Sequence, residues 1–187
     1  MSSETSPKSN KKYQIILADP PWKYRLQGSM TSARGMADLH YKTLTLEKLK
    51  KINIPLDNNC ILFLWVVFPE LQQGLDLIRA WGFEYKTIAF TWIKENKNGS
   101  LFWGMGYYTR ANAEVCLLGI KGKLKPKSHA VHSVVFAQRQ EHSKKPLEIK
   151  RRIVDLMGDL PRIELFAREK TEGWDVWGNE VESDIVL

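Results

Sequence analysis

The chain has 187 residues, 43% of them hydrophobic and 26% charged, which suffices for one domain with a sizeable core. A formal net charge of +7 and a pI near 9.4 call for a polyanionic partner such as nucleic acid. No apolar stretch approaches membrane-spanning length, and Met1 to Lys12, rich in Ser and Lys, lacks the apolar core of a signal peptide.

Residues 1–12 are therefore expected to form a disordered polar tail, ahead of a single domain over residues 13–187. Tyr13–Ala18 is apolar without interruption and predicts a strand buried on both faces of a parallel sheet. Asp19-Pro20-Pro21-Trp22 follows at once, and neither proline can extend a ladder. Asp19 is thus left at the carboxyl end of a central strand, where open α/β sheets bind their ligands. Lys23 to His40 has no period and reads as a mobile loop, and Thr45 to Ile52 as a short helix. Cys60 to Val67 predicts a second buried strand. Pro69, the apolar Leu71, Leu75 and Ile78, and Gly82 then outline a helix.

Tyr85 to Ile93 predicts another strand, and Gly99 to Arg110, aromatic and glycine-rich, a loop beside a site. Ala113 to Ile120 is strand-like and runs into a basic segment between Lys121 and Arg152. Pro146 opens a helix through Leu147, Ile153 and Leu156 that Gly158 closes, and Arg162 to Ala167 and Trp174 to Trp177 read as two final strands. Strands alternating with helices predict a mostly parallel, doubly wound α/β sheet with right-handed crossovers.

Cys60 and Cys116 fall inside apolar runs, as buried free thiols suited to a reducing cytoplasm. His129 and His132 form an H-x-x-H without further ligands nearby, so no metal is expected. In the basic segment, Lys123, Lys125 and Lys127 are the candidate phosphate contacts, a solvated basic face being the plainer alternative.

Asp19-Pro20-Pro21-Trp22 suits one kind of substrate. An exocyclic aromatic amine is a poor nucleophile because its lone pair is delocalised into the ring. Asp19 can accept one N–H and the Pro20 carbonyl the other, drawing the nitrogen towards tetrahedral geometry. Trp22 offers a flat face for a nucleobase. An ordinary Asp-Pro turn with a core Trp is the alternative.

From this tetrapeptide onwards the chain resembles the catalytic subunits of the mRNA N6-adenosine methyltransferases and their short prokaryotic and phage relatives. The likeness continues, in the family's order, through Tyr41-Lys-Thr-Leu44, Ile61-Leu-Phe-Leu-Trp65, Trp81-Gly-Phe83, Trp92-Ile-Lys94, Glu114-Val-Cys-Leu-Leu-Gly119, His142-Ser-Lys-Lys-Pro146, Ile163-Glu-Leu-Phe-Ala-Arg168 and Trp177-Gly-Asn-Glu180. The resemblance implies a Rossmann-like S-adenosylmethionine-dependent fold with permuted motif order, catalytic strand first and cofactor strand last. It implies methyl transfer from S-adenosylmethionine to the 6-amino group of adenine.

By the same resemblance, Asp19, Lys145, Glu164, Phe166, Arg168, Lys170, Thr171, Asn179 and Glu180 occupy cofactor positions. Lys145 also stands between cofactor and substrate, and Tyr41 beside the target pocket. Relatives with a longer amino-terminal extension hold the cofactor adenine with an upstream acid that has no counterpart here, which leaves main-chain groups or the Lys11–Tyr13 segment. DNA is the preferred substrate on the likeness to the short forms, RNA the runner-up and cytosine the third choice. A homodimer is compatible with the family. Paralogues that only bind nucleic acid have lost the Asp or the Trp of the tetrapeptide, and both are present here.

Overall fold

The computed structural model describes residues 11–23, 43–106, 108–140 and 144–187. Seven strands form one sheet in the order β5-β3-β4-β2-β1-β6-β7. They are β1 (Tyr13–Ala18), β2 (Leu56–Val66), β3 (Glu84–Glu95), β4 (Ala113–Lys121), β5 (Val134–Gln138), β6 (Arg162–Leu165) and β7 (Asp175–Trp177). The helices are α1 (Leu46–Lys50), α2 (Leu71–Ala80) and α3 (Glu148–Met157). Pro69 sits in a 3-10 turn, Phe68–Glu70, that leads into α2. A proline is tolerated there because a first-turn N–H has no helical partner to lose.

The central strands bury both faces, which is why they read as unbroken apolar runs. Along β2, Leu62, Leu64 and Val66 pack on one side with Leu49 of α1 and Leu77 and Ile78 of α2. Ile61, Phe63 and Trp65 pack on the other with Ile149, Ile153 and Met157 of α3. Strand β1 divides in the same way, with Ile16 and Ala18 on the α2 side and Ile15 and Leu17 on the α3 side. The period of two continues one step past the strand, so Asp19 falls on the α3 face.

The sheet is mostly parallel, as expected: β1–β2, β1–β6, β6–β7 and β3–β5 are parallel, while β4 runs antiparallel to both β2 and β3. The cause is local, since a loop rather than a crossover helix joins β3 to β4. Strand β5 arises inside the segment expected to be a basic loop. It is an edge strand in which Val135 alone is fully buried, so its sequence carries little apolar signal.

Tyr41, and the polar tail before Lys11, lie outside the described residues. No helix among the described residues is long and apolar enough to cross a membrane. Among the same residues no His, Cys, Asp and Glu side chains gather as a metal site, and Cys60 and Cys116 are buried free thiols.

Candidate active site

Asp19 stands immediately beyond the carboxyl end of β1, its side chain 27% exposed. The two prolines turn the chain, and its polar groups are satisfied locally. The Trp22 N–H donates to the Pro20 carbonyl at 2.8 Å, and the Leu44 N–H to the Pro21 carbonyl at 2.9 Å. The Pro20 oxygen thus already accepts one N–H, although a carbonyl oxygen keeps a second lone pair.

Trp22 also departs from expectation. It is 5% exposed within the core, and its Nε1 donates to the Trp65 carbonyl at 3.1 Å. An indole held in this way braces the turn against β2 and offers no open face for a base. Trp22→Ala is expected to cost about 3–5 kcal/mol of stability, as large aromatic deletions do, read as a lowered urea midpoint. An unchanged midpoint with a raised KM for nucleic acid would return Trp22 to the substrate.

The strongest electrostatic feature is a buried chain of alternating charge. Lys145 Nζ lies 2.8 Å from Asp19 Oδ2 and 3.2 Å from Glu114 Oε2, and Lys94 Nζ pairs with Glu114 Oε1. The ammonium of Lys145 also sits 5.7 Å from the centre of the Trp65 ring, and that of Lys94 5.1 Å from the Trp92 ring. Burial pushes the Asp19 carboxyl above the ordinary carboxylate range, and Lys145 offsets only part of that. Glu114 moves the other way. Burial alone would raise it, but the two lysines hold it below its usual value. Burial likewise opposes the charge on Lys145, yet Asp19 and Glu114 more than compensate and keep it protonated.

Sequence reading assigned no role to Lys94 or Glu114. The available signal was a carboxylate opening the otherwise apolar run Glu114–Leu118, but its partner becomes known only from the pairing of β3 with β4.

On the neighbouring strand, Glu164 pairs in register with Leu17 and points to the α3 face. There Lys150 of α3 lies 2.6 Å from its Oε2 and donates to Thr171 Oγ1 at 2.6 Å. Burial raises the Glu164 carboxyl, with Lys150 as the opposing influence. Strand β6 ends at Leu165, not Ala167, because Phe166 adopts φ 63° and breaks the ladder. A bulky residue in that region costs roughly 1–3 kcal/mol and calls for support from its surroundings. Phe166 has it from Trp177, whose ring meets it edge-on at 5.3 Å, and from the Ala167 N–H, which donates to the Trp177 carbonyl at 3.0 Å. Gly178 is required beside it, since a Cβ there would fall 2.1 Å from the Ala167 carbonyl oxygen.

These elements enclose a cleft between the amino end of α3 and the carboxyl edge of β1 and β6. Leu17, Asp19, Trp65, Lys144, Lys145, Ile149, Lys150, Glu164, Phe166, Arg168 and Glu169 line it. Of the expected residues, Asp19, Lys145, Glu164, Phe166 and Arg168 are thus brought together. Glu180 stands at its margin, 3.9 Å from Arg168 Nε, and Asn179 is exposed beside it. Thr171 reaches the cleft only through Lys150, and Lys170 is paired with Asp184 at 2.8 Å, away from it. Tyr13, part of the segment considered for the cofactor adenine, is fully buried and donates its hydroxyl to Asp175 at 2.5 Å.

Lys123, Lys125 and Lys127 are not part of the cleft. Cys60 pairs with Lys121 at one end of β2, whereas Leu64 pairs with Ala18 near the other. With a rise of about 3.3 Å per residue, the lysine loop lies roughly 20 Å from Asp19 along the strands. The reversed direction of β4 carries it to the opposite edge.

Acidic and basic side chains converging where parallel strands end define an α/β enzyme with its site at the sheet's carboxyl edge. The chain belongs to the MT-A70 family, whose model matches residues 13–180. It is 35% identical over 189 residues to the type II methyltransferase M.MunI of Mycoplasma sp, covering 91% of this chain and 78% of that protein. It is 29% identical over 177 residues to the human N(6)-adenosine-methyltransferase catalytic subunit METTL3, and 26% identical over 174 residues to an Arabidopsis thaliana MT-A70-like N(6)-adenosine-methyltransferase. It spans 28% and 24% of those two longer proteins.

Proposed function

We propose that the cleft brings S-adenosylmethionine and an adenine of DNA together, and that Asp19 orients the 6-amino group for direct in-line methyl transfer. Membership of the MT-A70 family makes this chain an adenine N6-methyltransferase. The observation that carries the mechanism is the part-shielded carboxylate of Asp19 at the end of β1, with Lys145 on one of its oxygens at 2.8 Å.

The donor set of the cleft suits the cofactor. Asp19, Glu164 and Glu169 can meet an ammonium or ribose hydroxyls, Lys144, Lys145 and Arg168 a carboxylate, and Phe166 a flat ring. Asn179 and Glu180 are the proposed ribose contacts at the margin. When bound, S-adenosylmethionine supplies an electrophilic methyl group on a sulfonium. The protein does the rest by position and electrostatics. Asp19 accepts one amine N–H, the second lone pair of the Pro20 carbonyl accepts the other, and the nitrogen lone pair is released towards the methyl. Methylation would leave a surplus proton on the nitrogen, and Asp19, whose carboxyl is raised by burial, would take it. Lys145 fixes the rotamer of Asp19 and balances its charge.

The strands and cleft support a Rossmann-like methyltransferase domain over residues 13–187 with permuted motif order, β1 carrying the acceptor and β6 the cofactor. The type II methyltransferase, matched over most of its length, favours DNA. The adenosine specified in the names of the longer relatives favours RNA as the second reading. Incubation with methyl-labelled cofactor and DNA or RNA, followed by mass spectrometry of the nucleosides, separates them. N6-methyldeoxyadenosine is expected. Product from RNA alone would move the assignment to RNA, and bound cofactor without transfer to either would end the mechanism.

A further inference from the structure

On the edge that carries Asp19, the loop between β3 and β4 presents an unusual surface. Leu101, Trp103, Met105 and Tyr108 are 55%, 72%, 87% and 100% exposed. A cluster of this kind on a soluble surface marks a contact site, whereas single exposed apolar residues need no explanation. Two rings of the loop lie against guanidinium groups: Arg110 stands 5.0 Å from the centre of Trp103, and Arg139, just past β5, 4.0 Å from that of the half-buried Phe102. Residues 96–112 contain Lys97 and Arg110 but no Asp or Glu. The surface is therefore aromatic and cationic together.

The loop is also built. Leu101 bridges to Glu95, the Phe102 N–H donates to the Lys94 carbonyl at 2.8 Å, and the Lys94 N–H to the Asn112 carbonyl at 2.8 Å. Further out its two arms touch. A Cβ on Gly104 would lie 2.1 Å from the Ala111 carbonyl oxygen, so only glycine allows that approach. The loop re-enters the sheet at Ala113, one residue before Glu114, whose carboxylate holds Lys145 beside Asp19.

We propose that this loop is a stacking platform for unpaired nucleotides flanking the target adenine, a reading that rests on the proposed nucleic-acid substrate. Bases stack on Trp103 and Tyr108, while Arg110 and Arg139 meet the phosphates between them. Every base has a π-face, so such a platform grips single strands with little regard to sequence. It supplies the polyanion contact on the active edge that the lysine loop, on the far edge, does not.

The test is fluorescence anisotropy with a labelled single-stranded oligonucleotide and the matching duplex. Trp103→Ala should weaken single-strand binding about tenfold, the scale of one lost stacked base, with duplex binding changed less than twofold. Trp103→Phe should recover most of the loss. Tyr108→Ala provides a variant in which folding is not at issue, since that side chain is fully exposed. Arg110→Gln should lower the slope of log affinity against log salt by about one. S-adenosylmethionine affinity should stay constant throughout. Unchanged single-strand affinity in Trp103→Ala and Tyr108→Ala would overturn the platform, as would equal losses on single strand and duplex. A shift in sedimentation without a loss of oligonucleotide binding would overturn it too, giving the surface to a second copy of the chain. Transfer by the wild type combined with unaltered variants sinks the platform alone. Platform-dependent binding without any transfer sinks the proposed mechanism alone.

Discussion

Asp19→Asn is expected to lower methyl transfer at least about 100-fold, the scale on which removal of a preorganised electrostatic group is felt, while the protein remains folded. The substitution keeps the volume of the side chain and removes its charge. Lys145 retains Glu114 at 3.2 Å, so no buried cation is left without a partner. The amide can still face the adenine amine, but it accepts weakly and cannot take the surplus proton. Single-turnover rates and cofactor affinity measured on the same preparation separate the effects. A variant keeping more than roughly a tenth of the wild-type rate would contradict a role worth a few kcal/mol. The pH profile gives a second reading. Burial raises the Asp19 carboxyl, so wild-type kcat/KM should fall on the acid side at a pH above the ordinary carboxylate range, and this limb should disappear in Asp19→Asn. The same shift has a sign for stability. The native state holds this proton more tightly than the unfolded chain, so the contribution of Asp19 to stability decreases as pH rises from the ordinary Asp value through the raised one.

The second large effect is expected at Glu114, whose side chain is 5% exposed between two ammonium groups. Glu114→Ala leaves Lys94 without this buried carboxylate and takes one of two carboxylates from Lys145. Breaking a buried pair by deleting one partner costs about 3–5 kcal/mol. In a domain of this size that corresponds to a fall in Tm of very roughly 6–20 °C. Replacing both members, Lys94→Met with Glu114→Met, should recover much of the stability, because the penalty lies in the unpaired charge and not in the missing bridge. Calorimetric melts of the single and double variants check this, and a single variant melting within 2 °C of wild type, roughly the shift from 1 kcal/mol in a domain of this size, would show the network to be solvated. The pH dependence has the opposite sign to that of Asp19. Glu114 is held below its ordinary value, so its contribution is complete above that value and is lost as pH falls through the depressed one.

Much of this was legible in the residues. The unbroken apolar runs of β1 and β2, the prolines that end β1, and the glycines beyond α2 and α3 each state a physical constraint that holds wherever the segment packs. Asp19 at a strand end followed from these alone. What stayed hidden was strand direction. Strand β4 buries both faces, with Val115 and Leu117 on one and Cys116 on the other, so its sequence reads the same whether it runs parallel or antiparallel. One concealed reversal accounts for two arrangements that the residues do not announce. It brings Glu114 to Lys94 and Lys145, and it carries Lys123, Lys125 and Lys127 to the far edge. Trp22 stayed ambiguous for another reason: an indole suits a base and a core equally well, and it is the Trp65 carbonyl taking its N–H that favours the core. Phe166 gave no warning, because a positive φ in a bulky residue is imposed by neighbours distant in sequence.

The reversal of β4 has a further consequence for how such a chain can diverge. The connections on either side of this strand open onto opposite rims of the sheet. Segment 96–112 opens onto the rim that carries Asp19, so a change in its length alters the surroundings of the cleft. The turn at Gly122 and Lys123 leaves β4 at the far rim, so sequence added there stands away from the chemistry. The two ends of this one strand therefore open onto separate addresses in the fold, and the length of one connection can drift while the other is kept.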